Sequence, residues 1–175
     1  VNPAGEKFVI PAKEDYASEF ERVKQLAEAA KADDKEIVVV RGVGFVGAVM
    51  AAIVADTKDE NGKNTKFVIG CQRPSVRSYW KIPVLNTGVS PVKAEDPEVD
   101  ELIGRCVLES KTLIATYNSD VLSLADVVVV DVQCDYQKKD LGNMRNGEAD
   151  MAALEATMKT IGEKIQPHCL TLIET

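Results

Sequence analysis

Histidine and tryptophan each occur once in the 175 residues, and aromatic residues make up only 5% of the chain. A lone His168 is too few for the histidine-rich ligand sets of zinc enzymes. The four cysteines, Cys71, Cys106, Cys134 and Cys169, lie far apart with no C-x-x-C pair. No metal site is therefore expected, and the natural reading is reduced, buried thiols in a cytoplasmic protein. No apolar run approaches the roughly 20 residues that cross a bilayer, and the first residues carry no signal-peptide pattern. Positive charge is short as well. The 21 Lys and Arg against 28 Asp and Glu leave a net charge of -7, which argues against non-specific binding to nucleic acid or to an anionic membrane. There is no internal repeat and no low-complexity tract. What is present is an ordinary globular composition, 45% hydrophobic and 28% charged, long enough for one well-buried domain and cramped for two.

The chain is organised around residues 36–56, EIVVVRGVGFVGAVMAAIVAD. A continuous apolar run breaks at Gly42-Val43-Gly44-Phe45-Val46-Gly47 and resumes as a small-residue helical segment. Strand, tight turn and helix in that order are what a dinucleotide-binding unit needs. The first glycine turns the chain off the strand, the second admits a pyrophosphate to the backbone, and the third lets the helix pack close to the sheet. The free N–H groups and positive dipole end of the new helix would face the phosphates.

Along the rest of the chain, apolar positions step at helical or strand spacing in turn. Residues 1–13 read as an extended arm. Phe20, Val23, Leu26, Ala27 and Ala30 predict an amphipathic helix over 16–32, ahead of the first strand at 37–40. A polar loop over 57–65 precedes a second strand at 66–70, and 74–92 reads as irregular. Asp96-Pro97-Glu98 opens a helix through Val107, with proline and acids in its first turn. Strands follow at 112–116 and 127–130, separated by a short helix at 119–124. The polar stretch 133–150, with Gly142, Gly147, Lys138, Lys139 and Arg145, reads as a loop, either plainly solvated or facing a ligand. Met151, Leu154, Met158, Ile161 and Ile165 predict an amphipathic helix, Pro167 stops it, and 169–173 is the last strand. Alternating strands and helices imply an α/β, Rossmann-like, doubly wound and mostly parallel sheet with helices on both faces. The expected organisation is an arm and helix over 1–35 and a dinucleotide-binding domain over 36–175.

The end of the second strand is where an acidic residue commonly meets the ribose hydroxyls. That position holds Gln72, followed by Arg73. Gln can hydrogen-bond a hydroxyl but is neutral, and Arg73 would suit a 2′-phosphate. NAD is the expected cofactor, with NADP as the alternative.

Several pieces together resemble the N-terminal domain of the UDP-glucose/GDP-mannose dehydrogenase family, the nucleotide-sugar dehydrogenases. They are VVRGVGFVG at 39–47, VLNTGVSP at 84–91, EDPEVDEL at 95–102, the strand end at Thr116, ADVVVVDV at 125–132, Ala149-Asp150-Met151 and LIET at 172–175. The resemblance spans about 36–175. Residues 1–35 and the loop at 57–65 stand outside the common pattern. The family's last strand runs into a Thr-Val-Pro-type turn, which this sequence stops short of, so the chain reads as cut at both ends, before the central and sugar-binding domains.

The resemblance implies oxidation of the C6 hydroxyl of a UDP- or GDP-linked sugar to a carboxylate with two NAD, through a cysteine thioester, in polysaccharide biosynthesis. It maps cofactor contacts onto Gly42, Val43, Gly44, Phe45, Val46 and Gly47, with Gln72 and Arg73 at the ribose, and onto Arg77, Thr116, Cys134 and Glu174. The nucleophilic cysteine is expected beyond Thr175, so no catalytic residue is assigned here, and no His or Lys is evidently placed to activate Cys134. Where the family has a Thr-Pro after the central strand, this chain has Gln133-Cys134-Asp135, a divergence shared with Gln72. The nucleotide sugar would be met through the missing domains, and the full-length protein is expected to be a homo-oligomer. Competing readings are a stand-alone module that senses a dinucleotide and a 3-hydroxy acid dehydrogenase. Against the latter stand Asn86-Thr87-Gly88 and the EDPEVDEL helix.

Overall fold

The computed structural model describes residues 1–94, 96–138 and 147–174, with backbone alone at 137 and 138. Glu95, Lys139, Gly142, Arg145 and Thr175, which the sequence reading singled out, lie outside the described residues. Five strands form one parallel sheet: β1 (Glu36–Arg41), β2 (Lys66–Cys71), β3 (Leu113–Thr116), β4 (Val127–Val130) and, last in the chain, β7 (Leu170–Ile173). Their order across the sheet is β3-β2-β1-β4-β7. The chain winds outward from β1 to β3, then crosses back to β4 beside β1, so the switch point lies between β1 and β4. In open α/β sheets of this kind, ligands bind outside the carboxyl ends of the strands at that point.

The strand residues alternate between two cores. Ile37 and Val39 of β1, Phe67, Ile69 and Cys71 of β2, and Val128 and Val130 of β4 face one side. There they bury Val23, Ala27 and Ala30 of α1 (Asp15–Ala32), Val121 and Leu122 of a 3-10 helix at Ser119–Leu124, and Leu154 and Ile161 of α5 (Ala152–Gly162). Val38, Val40, Val68, Leu113 and Val129 face the other side. They pack on Ala51, Ala52 and Ala55 of α2 (Phe45–Ala55), Ile82 and Leu85 of α3 (Lys81–Asn86), and Ile103 of α4 (Glu98–Gly104). Runs such as Val127-Val128-Val129-Val130 are apolar throughout because both faces of a central parallel strand are covered. The first helix thus joins the same core as the strands, and the alternating pattern delivers the expected doubly wound α/β architecture.

Three local readings are corrected. The stretch 74–92 contains α3, whose Pro83 sits in the first turn, where a missing N–H costs nothing. The helix expected through Val107 is α4 followed by a π-helical turn at Arg105–Glu109. The stretch 133–150 is not all loop: β5 (Asp135–Lys138) and β6 (Gly147–Asp150) pair antiparallel as a hairpin beside the main sheet. Its strands are polar, and without an apolar alternation they carry no periodic signal.

Polar contacts at Asp126 and Asn118 help to hold α1 against the rest of the fold. The Asp126 carboxylate accepts from the Ile37 N–H at 2.9 Å and pairs with Lys31 at 3.3 Å, with His168 Nε2 at 3.6 Å. Asn118 is buried; its Nδ2 donates to the Tyr16 carbonyl at 2.7 Å while its Oδ1 accepts from the Asp120 N–H at 2.8 Å, capping the 3-10 helix. Asn118→Ala removes the cap and the bond to the Tyr16 carbonyl. It should lower unfolding stability by about 1–3 kcal/mol in a urea titration; an unchanged midpoint would contradict this role.

Candidate functional site

The glycine turn lies at the switch point, and its three glycines stand in three different surroundings. Gly42 has φ +111, and a Cβ there would fall inside 3.0 Å of the Asp131 carbonyl oxygen. Gly47, in the first turn of α2, would bring a Cβ equally close to the Gly42 carbonyl and to Asp131 Oδ2. Gly44 is the reverse, with nothing within 4 Å of its missing side chain. Two glycines are required because the β1 end, the β4 end and α2 press together, and the third faces open space. That is the division of labour expected for a pyrophosphate turn, read from packing alone.

The loop between them is pinned. Val43 is fully buried, its side chain occupying the space that Gly70 of β2 leaves free, and its N–H donates to Gln72 Oε1 at 2.9 Å. Gln72 therefore ties the loop to the end of β2, with its carbonyl oxygen already engaged. Gly44 caps α2 without a side chain, the first turn holds no acidic residue, and among the described residues nothing accepts from the N–H of Phe45 or Val46. Phe45 and Val46 are exposed. The helix therefore presents free donors and its positive dipole end outward, an arrangement suited to an anion.

Beside the turn, on the α5 side of the sheet, a cavity of about 520 Å³ is lined by Arg41, Gly42, Gln72, Arg73 and Val132 and by Ala152, Ala153, Ala156, Thr157 and Thr160 of α5. The small side chains of α5 give it a flat apolar wall, of the kind that admits a ring. Arg41 is only 7% exposed; its Nη1 donates to Cys71 Sγ at 3.2 Å and to the Cys71 carbonyl at 3.5 Å.

The remaining expected contacts, Thr116, Glu174, Cys134 and Arg77, stand in varied settings, and none of them lines this cavity. Thr116 is buried at the end of β3, and its hydroxyl donates to Glu19 Oε1 of α1 at 2.6 Å. Glu174 follows β7 and donates its N–H to the Val130 carbonyl at 2.9 Å. Cys134 leads into the hairpin, its thiol 3.4 Å from both the Asp150 carbonyl and Met151 Sδ. Arg77 is exposed in the turn before α3, where its carbonyl accepts from Trp80 Nε1 at 2.9 Å. Arg73 is exposed at the cavity rim.

Thiol chemistry is not set up among the shifted cysteines. Burial pushes the Cys71, Cys106 and Cys169 thiols up, away from the reactive thiolate, and at Cys71 the Arg41 charge opposes the rise without overcoming it. Among the described residues no cluster of His, Cys, Asp and Glu could hold a metal ion, and no helix is long and apolar enough to cross a membrane.

Two residues of the site escape the sequence reading. Arg41 and Asp131 each end an apolar strand run, and the visible signal was only a charge where the apolar pattern stops. Burial pushes the Asp131 carboxyl above the usual carboxylate range, against the pull of the Gly47 N–H, and the nearby Glu174 charge adds to the rise. Its ionised form is thus disfavoured by the fold. That destabilisation is absent at pH about 3, sets in as pH rises through the ordinary carboxylate pKa of about 3.9, and is complete above the raised folded value. Asp131→Asn should therefore raise the melting temperature at pH 7 and leave it nearly unchanged at pH 3; a lower melting temperature at pH 7 would contradict the reading.

No protein-family model matches the sequence, and no curated protein matches it either. Solved structures do. A dehydrogenase of NDP-N-acetyl-D-galactosaminuronic acid from Methanosarcina mazei Go1 is 30% identical with a TM-score of 0.68, the match covering 85% of this chain and 29% of that one. A GDP-mannose dehydrogenase from Pseudomonas aeruginosa, solved as a ternary complex, is 25% identical with a TM-score of 0.55 over 71% of this chain and 24% of that one. A UDP-D-ManNAc dehydrogenase from Pyrococcus horikoshii shares the fold at 24% identity, TM-score 0.58, over 79% of this chain and 28% of that one. This chain thus spans less than a third of each relative's length. In its doubly wound sheet and in sequence, this chain is similar to part of these nucleotide-sugar dehydrogenases.

Proposed function

We propose that this chain is the cofactor-holding part of a nucleotide-sugar 6-dehydrogenase. When bound, a nicotinamide dinucleotide supplies the hydride acceptor for oxidising the C6 hydroxyl of a UDP- or GDP-linked sugar to a carboxylate, two molecules being used per sugar. The observation that carries the reading is the contrast between the walled-in Gly42 and Gly47 and the open Gly44 at the β1/β4 switch point. Gly44, Phe45 and Val46 would hold the pyrophosphate through backbone N–H groups, and Gln72 and Arg73 would meet the adenosine ribose beside the alanine wall of α5. Thr116, Cys134, Arg77 and Glu174 remain the further contacts implied by the family likeness. The other part of the relatives' length would bring the nucleotide sugar, the cysteine nucleophile and the contacts of a homo-oligomer. The reaction belongs to a cytoplasmic route to acidic polysaccharides.

On this reading the chain binds the dinucleotide and does not turn over a nucleotide sugar by itself. The test is calorimetric titration of the chain with NAD and with NADP, for wild type and Gly44→Val. Because no atom stands within 4 Å of the missing Gly44 side chain, the variant should keep its circular dichroism spectrum, with only the modest helix-capping cost of about 1 kcal/mol. It should nevertheless bind the dinucleotide at least about tenfold more weakly, since a branched side chain would stand where the phosphates approach. Absence of heat with either cofactor, or an affinity untouched by the substitution, would remove the assignment.

A further inference from the structure

The cavity beside the glycine turn carries an uncompensated charge. Arg41 is a strand-end residue, 7% exposed, and among the described residues it forms no ion pair; its hydrogen bonds go to the Cys71 sulfur and carbonyl. Burial keeps the Cys71 thiol in its neutral form, so the sulfur supplies no counter-charge. A guanidinium held out of water without an anion is costly, and such groups normally sit against a carboxylate or a phosphate. Arg73 adds a second positive charge at the rim, and no Asp or Glu is among the residues lining the cavity.

The place of these charges matters. The end of β2 is where a dinucleotide site reads the adenosine ribose, by a carboxylate that accepts from the free hydroxyls or by an arginine that accommodates a 2′-phosphate. Here the carboxylate is replaced by Gln72, whose carbonyl oxygen is already taken by the Val43 N–H. The carboxylate that would favour a bare ribose is missing, and with it the negative charge that would repel a phosphate. Two arginines offer planar forks of donors matched to phosphate oxygens. Resting on the dinucleotide reading above, we infer that the cavity selects a 2′-phosphorylated dinucleotide, NADP, with Arg41 at the floor and Arg73 at the rim facing the 2′-phosphate.

Calorimetric titration of the chain with NADP and NAD, and with the fragments 2′-AMP and 5′-AMP, separates the possibilities. NADP should bind at least about tenfold more tightly than NAD, and 2′-AMP more tightly than 5′-AMP, with the preference weakening as salt is raised. Arg73→Gln, a substitution at an exposed residue, should bring the NADP-to-NAD affinity ratio toward one, and Arg41→Met should do the same if the variant folds. NAD binding equal to or tighter than NADP would overturn the selectivity while leaving the dinucleotide site standing. A preference for NADP that survives Arg73→Gln undiminished would overturn the role of the rim arginine. Failure of both dinucleotides to bind would overturn the site itself, and the selectivity with it.

Discussion

Three backbone segments press together at one point: the Gly42 turn, the end of β4 at Asp131, and the first turn of α2 at Gly47. No side chain fits between Gly42 and the Asp131 carbonyl, or between Gly47 and the Gly42 carbonyl. The crowding sets where α2 begins and in which direction its N-terminus points. It also joins the two halves of the sheet, since Gly42 follows β1 and Asp131 follows β4. The free N–H groups of Phe45 and Val46 face outward because α2 is held this close. Val43, buried over Gly70 and bonded to Gln72, carries the constraint on to β2. Packing and ligand geometry are therefore one problem at this point, which leaves Gly44 as the residue where space rather than packing decides.

Charge around the turn is arranged unevenly. On the α5 face, Arg41 and Arg73 give the cavity a positive lining inside a protein whose net charge is -7. On the α2 face, Asp131 and Glu174 put negative charge near the helix end, and the Asp131 carboxyl is shifted up by its burial. Local fields of this kind outweigh net charge at short range, because screening in water acts over roughly 8–10 Å. An anion entering here is drawn to one face and resisted at the other, which favours a ligand with phosphates at separated positions over a single small anion.

Much of this was legible in the residues. Val127 to Val130 and Ile37 to Val40 announce central strands because both faces of a parallel sheet are dry, and glycine spacing marks the turn. The stepping of Val23, Ala27 and Ala30 identifies α1, although only the fold shows that it shares the β1 core. What escaped has physical causes. The helix α3 is short, carries Pro83 and has no polar cap, so its pattern is too brief to read. The β5–β6 hairpin is polar. Arg41 and Asp131 stand one residue beyond apolar runs, and one charge at the end of a strand looks like the boundary of a core until the fold brings two strand ends to one site. The alanines and threonines of α5 facing the cavity were hidden beside the louder Leu154 and Ile161 stripe.

The most direct measurement is amide hydrogen exchange of the chain with and without saturating dinucleotide. Slowed exchange at Phe45 and Val46, together with residues 72–73, is the expected result, because those donors and the β2 end would be covered while the already bonded strand interiors change little. Unchanged exchange at Phe45 and Val46 under saturating ligand would contradict the proposal that the turn between β1 and α2 grips the phosphates.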